Sequence, residues 1–131
     1  MATTKWANDA VASAALDWIK ANGPKMYVCT ASVSSASTVT YATIVAAALT
    51  GAITTGLASV SETSGDTSGL KLVVPQAASV TVTASGTAAR IALVNSSGSV
   101  ATYITTCTSQ VLTSGNTVTV PVWDIEVRDP V

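Results

Sequence analysis

The first regular pattern along the chain is helical. Val11, Ala14, Ala15 and Trp18 recur at i, i+3, i+4 and i+7, with Leu16 and Ile19 widening the apolar stripe, so the spacing predicts a helix over about residues 8–21. Asn8 is placed to cap it and Asp9 sits in its first turn. Asn22-Gly23-Pro24 stops it, because glycine accepts the left-handed conformation and proline cannot continue a helix. Beyond that stop the pattern changes to short β runs. Residues 25–31 read as a buried strand built on Met26, Tyr27, Val28 and Cys29, and 32–37 as a loop. Residues 38–49 open as a strand and continue into three consecutive alanines that favour a short helix.

Residues 52–61 predict a further strand, and 62–69, with two glycines and Asp66, a reversal. Three clean strand-length runs follow: Leu70-Lys71-Leu72-Val73-Val74, Ser79-Val80-Thr81-Val82-Thr83 and Ala89-Arg90-Ile91-Ala92-Leu93-Val94. Asn95-Ser96-Ser97-Gly98 predicts a hairpin joining the last of these to residues 100–107 as an antiparallel neighbour. Residues 116–128 read as the last strand, in which the apolar positions change phase, from Val118, Val120 and Val122 to Trp123, Ile125 and Val127. Pro121 stands just before the change, which predicts a bulge or an edge position around 121–123. The whole reads as a single domain, 1–131, mainly β: a β-sandwich or flattened barrel of about seven strands with one N-terminal α-helix.

Composition narrows the role of such a domain. Charged residues are only 10% of the chain against 48% apolar, and Ser with Thr exceed a quarter of it. Disordered chains are charge-rich and poor in groups to bury, so this one is expected to fold. With a net charge of −1 it has little to repel neighbours, and much of its surface is expected to be covered by partners. The six cations, Lys5, Lys20, Lys25, Lys71, Arg90 and Arg128, are scattered, which disfavours direct nucleic-acid binding. Residues 41–60 are uncharged but hold four threonines and lack a basic flank, so no membrane span is expected.

Catalytic chemistry finds little to work with. The chain has no histidine, which removes the usual general base, the commonest metal ligand and the Ser-His and Cys-His nucleophiles together. No enzymatic role, cofactor or metal is expected. Cys29 and Cys107 read as two reduced, buried thiols, with a single disulfide as the alternative. Asp124, Glu126 and Arg128 share one strand face at period two, either as a cation or docking site or as a self-neutralised solvated face. Glu62 and Asp66 lack the ligand count of a calcium loop. Trp18 and Trp123 read as core residues, and Trp6, ahead of the helix, as an anchor into a neighbouring subunit.

Three segments carry a family resemblance. They are Gly65-Asp66-Thr67-Ser68-Gly69-Leu70-Lys71-Leu72, then Thr83-Ala84-Ser85-Gly86-Thr87-Ala88-Ala89-Arg90-Ile91-Ala92-Leu93-Val94, then residues 103–130 with Gly115-Asn116-Thr117-Val118-Thr119-Val120-Pro121-Val122-Trp123-Asp124-Ile125-Glu126. With the opening helix, they resemble small virion structural proteins of tailed bacteriophages. The resemblance implies a protein in many copies on the capsid surface, a head decoration or cement protein bound to the major capsid protein and to copies of itself. A head–tail connector or tail component is the alternative in the same setting. A carbohydrate-binding host-attachment module is the alternative from another class. The resemblance transfers no catalytic or ligand-binding residue. The expected contact residues are Trp6 at one end and Asp124, Glu126 and Arg128 at the other.

Overall fold

A computed structural model of the chain describes residues 7–34 and 39–130. Helix α1, Asp9–Asn22, begins where the sequence places it: the Asn8 side chain accepts a hydrogen bond from the Ala10 amide at 2.9 Å. It ends at Gly23, where an added Cβ would sit 2.8 Å from the Ile19 carbonyl oxygen. Its buried face differs from the expected stripe. Ala12 and Leu16 are buried and Ile19 packs on the core, while Val11 and Trp18 are turned outward, 64% and 52% exposed. Both stripes have helical spacing, because alanines fill either one. The buried face is the one that places Leu16 and Ile19 in the same core as Leu57, Leu72 and Leu93.

The central sheet is antiparallel, in the order β2-β1-β6-β7, from β1 (Lys25–Cys29), β2 (Ile53–Thr54), β6 (Gly86–Asn95) and β7 (Val100–Leu112). Pairing of Tyr27 with Ala92 and of Met26 with Leu93 sends alternate residues of β1 and β6 to opposite faces. Met26, Val28, Ile91 and Leu93 meet the main core with Leu16, Leu57, Leu72, Val74 and Ile125. Tyr27, Cys29, Ala92 and Val94 meet a second, smaller core with Val33 and Ile44, the latter from helix α2 (Tyr41–Ala46). Strand β6 is thus covered on both sides, which is why its sequence is almost unbroken in apolar residues.

Two smaller antiparallel sheets close the main core: β3-β4-β9, from β3 (Thr63–Ser64), β4 (Leu70–Val74) and β9 (Trp123–Val127), and the pair β5 (Ala77–Thr81) with β8 (Thr117–Val120). The fold is therefore mainly β with one long N-terminal helix. Among the described residues seven strands have four or more residues and two have two. Three sheets share the covering that two would provide in a regular sandwich.

Two expectations are corrected. The stretch 52–61 contributes only the two residues of β2 before a 3₁₀ turn, Leu57–Ser59. Its backbone is tied instead through the buried Thr55 hydroxyl, which donates to the Gly23 carbonyl at 2.7 Å. The stretch 116–128 is two strands in different sheets, with Val122 between them 59% exposed. The phase change at Pro121 marks a change of sheet, because each half needs its own alternate set buried. The predicted hairpin forms between β6 and β7, with Asn95 Oδ1 accepting from the Gly98 amide at 3.2 Å.

The reversal before β4 also forms. Gly69 has φ +69° and lies so close to the Val127 carbonyl that no Cβ fits there, which explains a glycine at that position.

Candidate assembly surface

Three strand edges are left open on one side of the molecule. Strand β7 is the outer strand of the central sheet, β9 is the outer strand of its sheet, and β8 pairs only with β5. Residues 48–50 bring the pieces together. The Leu49 amide donates to the Val28 carbonyl at 2.8 Å and its carbonyl accepts from the Thr83 amide at 2.8 Å, joining the end of β1 to the β5–β8 pair.

Between the open edges lies a groove of about 870 Å³. Its floor includes the core residues Val28, Ala88 and Ile91. One wall is β7, through Thr105, Thr106, Cys107, Thr108 and Gln110. The other is the β8–β9 passage, from Val118 to Asp124.

The groove is polar at its walls but nearly uncharged. Between Leu72 and Trp123 the only charged residue in the sequence is Arg90. Among the groove-lining residues the one charge is Asp124, whose carboxylate stands 3.7 Å from the Lys71 ammonium. Strand β7 has thirteen residues with no lysine, no proline and no inward charge, and its register against β6 shifts between Thr106 and Gln110 and again between Ala101 and Tyr103. Residues 108–111 of it are exposed, Val111 to 77%.

Trp123 sits at the groove with its ring stacked on Tyr103, centroids 6.1 Å apart and planes at 24°. Its indole N–H is buried and finds no acceptor among the described residues. A buried donor left unpaired costs about 1–3 kcal/mol.

The structure separates the residues singled out from sequence. Trp6 lies outside the described residues. Asp124 is on the groove rim. Glu126 instead serves the fold: its Oε1 accepts from the Thr67 and Ser68 amides at 3.1 and 3.3 Å and stands 3.5 Å from the Arg128 guanidinium. Arg128 is exposed just past β9. Lys71 lies between Asp66, at 2.5 Å, and Asp124, so that this strand face neutralises itself. Glu62 is tied to the helix through Ser13 at 3.3 Å and Lys20 at 3.8 Å. Trp18, read as core, is a surface residue, and it forms with Val11 an exposed apolar strip on α1.

The backbone amides that Glu126 accepts from hold its carboxyl below the usual carboxylate range. A group lowered in this way contributes stability above its unfolded value, lost as pH falls through the folded one. Glu126→Gln is expected to weaken the acid-side dependence of unfolding and to speed hydrogen exchange at the Thr67 and Ser68 amides. Unchanged exchange there would show that the carboxylate does not hold the turn.

Both cysteines are free thiols, Cys29 buried and Cys107 half-buried at the groove. Burial pushes the Cys29 thiol up to about 12, far from a nucleophile's range. Among the described residues no three His, Cys, Asp or Glu side chains gather as a metal would require, and no helix is long and apolar enough to cross a membrane. The groove itself escaped sequence reading, although the uncharged run 91–123 was a signal of it. Comparison with family models, curated proteins and solved structures found nothing that matches this chain.

Proposed function

We propose that the chain is a non-enzymatic structural subunit of a phage particle, a decoration or cement protein that holds to the capsid and to copies of itself. The observation that carries the assembly role is β7, a thirteen-residue uncharged edge strand bordering an open groove. An uncharged edge is a template for pairing with another chain, and residues 108–111 of β7 are exposed. The phage setting rests on the sequence resemblance. A sugar-binding module calls for several exposed aromatics side by side, whereas Trp123 is half-buried against Tyr103 and Trp18 is the one aromatic residue of its helix.

Electron microscopy of intact particles tests the assignment, with the chain expected in many copies over the shell. A few copies at a vertex or tail would replace the cement role with the connector role, and absence from the particle would end both. Because the contacts are uncharged, binding to shells is expected to change by no more than roughly threefold between low and high salt, where phosphate-like charge pairing would be screened away. A steep loss with salt would refute contact through these edges.

A further inference from the structure

We propose that the exposed apolar strip of α1 is a two-fold contact, on which the same helix of a second copy packs antiparallel. The contact is independent of the β7 edge and of the phage setting, and needs only a second copy.

Helix α1 is apolar on two faces. Ala12, Leu16 and Ile19 face the core, and Val11, Ala14, Ala15 and Trp18 form a second stripe, at i, i+3, i+4 and i+7, that faces outward. With 3.6 residues per turn the two stripes are centred about 120° apart, so burying the first leaves the second in water. Of the eight exposed residues of the helix six are apolar, and only Asp9 and Asp17 are charged. A surface helix normally turns polar groups away from the core, and one apolar over so much of its circumference is covered on a second side.

The spacing of the strip selects a second copy as the cover. Val11 and Trp18 lie equally far, in opposite directions, from the midpoint of Ala14 and Ala15. A two-fold axis through that midpoint sets Trp18 of each copy against Val11 of the other, and the alanines meet at the axis, where small side chains let helices approach to about 8 Å. A parallel pair would set the two indoles against each other and hold the alanines apart. Antiparallel packing also opposes the helix dipoles. Lys20 stands 3.8 Å from both Asp17 and Glu62, so the helix's one cation is already paired off the strip. A single helix crossing covers less than the roughly 1,200–2,000 Å² of a stable complex, so the pair is weak in dilute solution and strengthens where copies are held side by side.

Oxidative trapping tests the contact residue by residue. Ala14→Cys, Ala15→Cys and Val11→Cys are made separately in a Cys107→Ser chain, oxidised with diamide at high protein concentration and run on non-reducing gels, beside thermal melts that check folding. About the proposed axis, residue 14 is displaced about 1.5 Å along the helix from its own counterpart and residue 11 about 10 Å. A disulfide needs Cα atoms within about 7 Å, so both alanine positions are expected to give at least tenfold more dimer than Val11→Cys, although Val11 is 64% exposed. Random collision or a parallel pair links Val11→Cys as readily as Ala14→Cys. That result, or no dimer from either alanine position, overturns the inference.

Particles separate this contact from the assembly role. Dimers in free protein that is absent from particles leave the helix pair and remove the phage role. No dimer from the alanine positions, with Trp18→Lys folded but lost from particles, gives the strip to the shell protein and overturns the pair.

Discussion

Raising the pH from 9 to 11 is expected to remove about 2 kcal/mol of folding stability through one side chain, Cys29. Its thiol is wholly buried, with Sγ 3.7 Å from the Ile44 carbonyl, and burial first, then the nearby Cys107, raise it from its ordinary value near 9 to about 12. Below pH 9 the thiol is protonated in both states and pH has no leverage on it. Above pH 9 the unfolded chain releases the proton while the folded chain keeps it, so stability falls by up to about 1.4 kcal/mol per pH unit until about 12. Tyr27, on the same sheet face, is raised by burial and by Tyr41, and Lys71 is raised by its hydrogen bond to Asp66; both push in the same direction. Urea midpoints measured from pH 8 to 11 give the slope, and Cys29→Ala is expected to flatten it. An equally steep slope in that variant would place the alkaline weakness elsewhere.

Much of the fold was legible because local chemistry and tertiary demand agreed. Asn8 and Gly23-Pro24 bound the helix by capping and steric rules that hold whatever packs against it. The runs at β4 and β6 and the Asn95–Gly98 reversal are likewise local. The errors fall where two readings have equal local support. Alanines on both sides of α1 let the stripe be drawn through Val11 and Trp18, and only the position of Leu57 and Leu93 decides for Leu16. Residues 52–61 have strand composition, but their amides and carbonyls are partly served by Thr55 and a 3₁₀ turn, which no periodicity announces. At Pro121 the sequence showed that something must change; that each half joins a different sheet depends on partners far back in the chain, in β5 and β4.

The candidate site was less legible, for a related reason. Its floor comes from β1 and β6, one wall from β7 and the other from β8 and β9, so no window of sequence contains it. Sequence reading favoured charged residues near the C-terminus as contacts. Of these Glu126 is consumed by the turn amides of Thr67 and Ser68, and only Asp124 reaches the groove. What the sequence did carry was an absence of charge, from Ile91 to Trp123, which on a buried strand signals a core and on an edge strand signals a partner. The topology that puts β6 inside and β7 at the rim turns the first meaning into the second.

That difference makes Thr108→Lys the most informative single change. Thr108 is exposed on β7 and lines the groove, so in the isolated protein a lysine there meets water and the folding stability is expected to stay within about 0.5 kcal/mol. In an assembled edge the same ammonium has to be desolvated opposite an uncharged strand, at a cost of about 3 kcal/mol or more, which is at least a hundredfold in affinity. A lysine on a sheet edge is also the device natural proteins use to prevent such pairing. Thr108→Val keeps the shape and β-preference without the charge and is expected to retain binding. Occupancy on particles, quantified from gel bands of wild type and both variants beside thermal melts of the free proteins, separates lost docking from lost folding. If Thr108→Lys occupies particles as fully as wild type, the β7 edge is not the contact surface, and the helix strip of Val11 and Trp18 becomes the surface to test in its place.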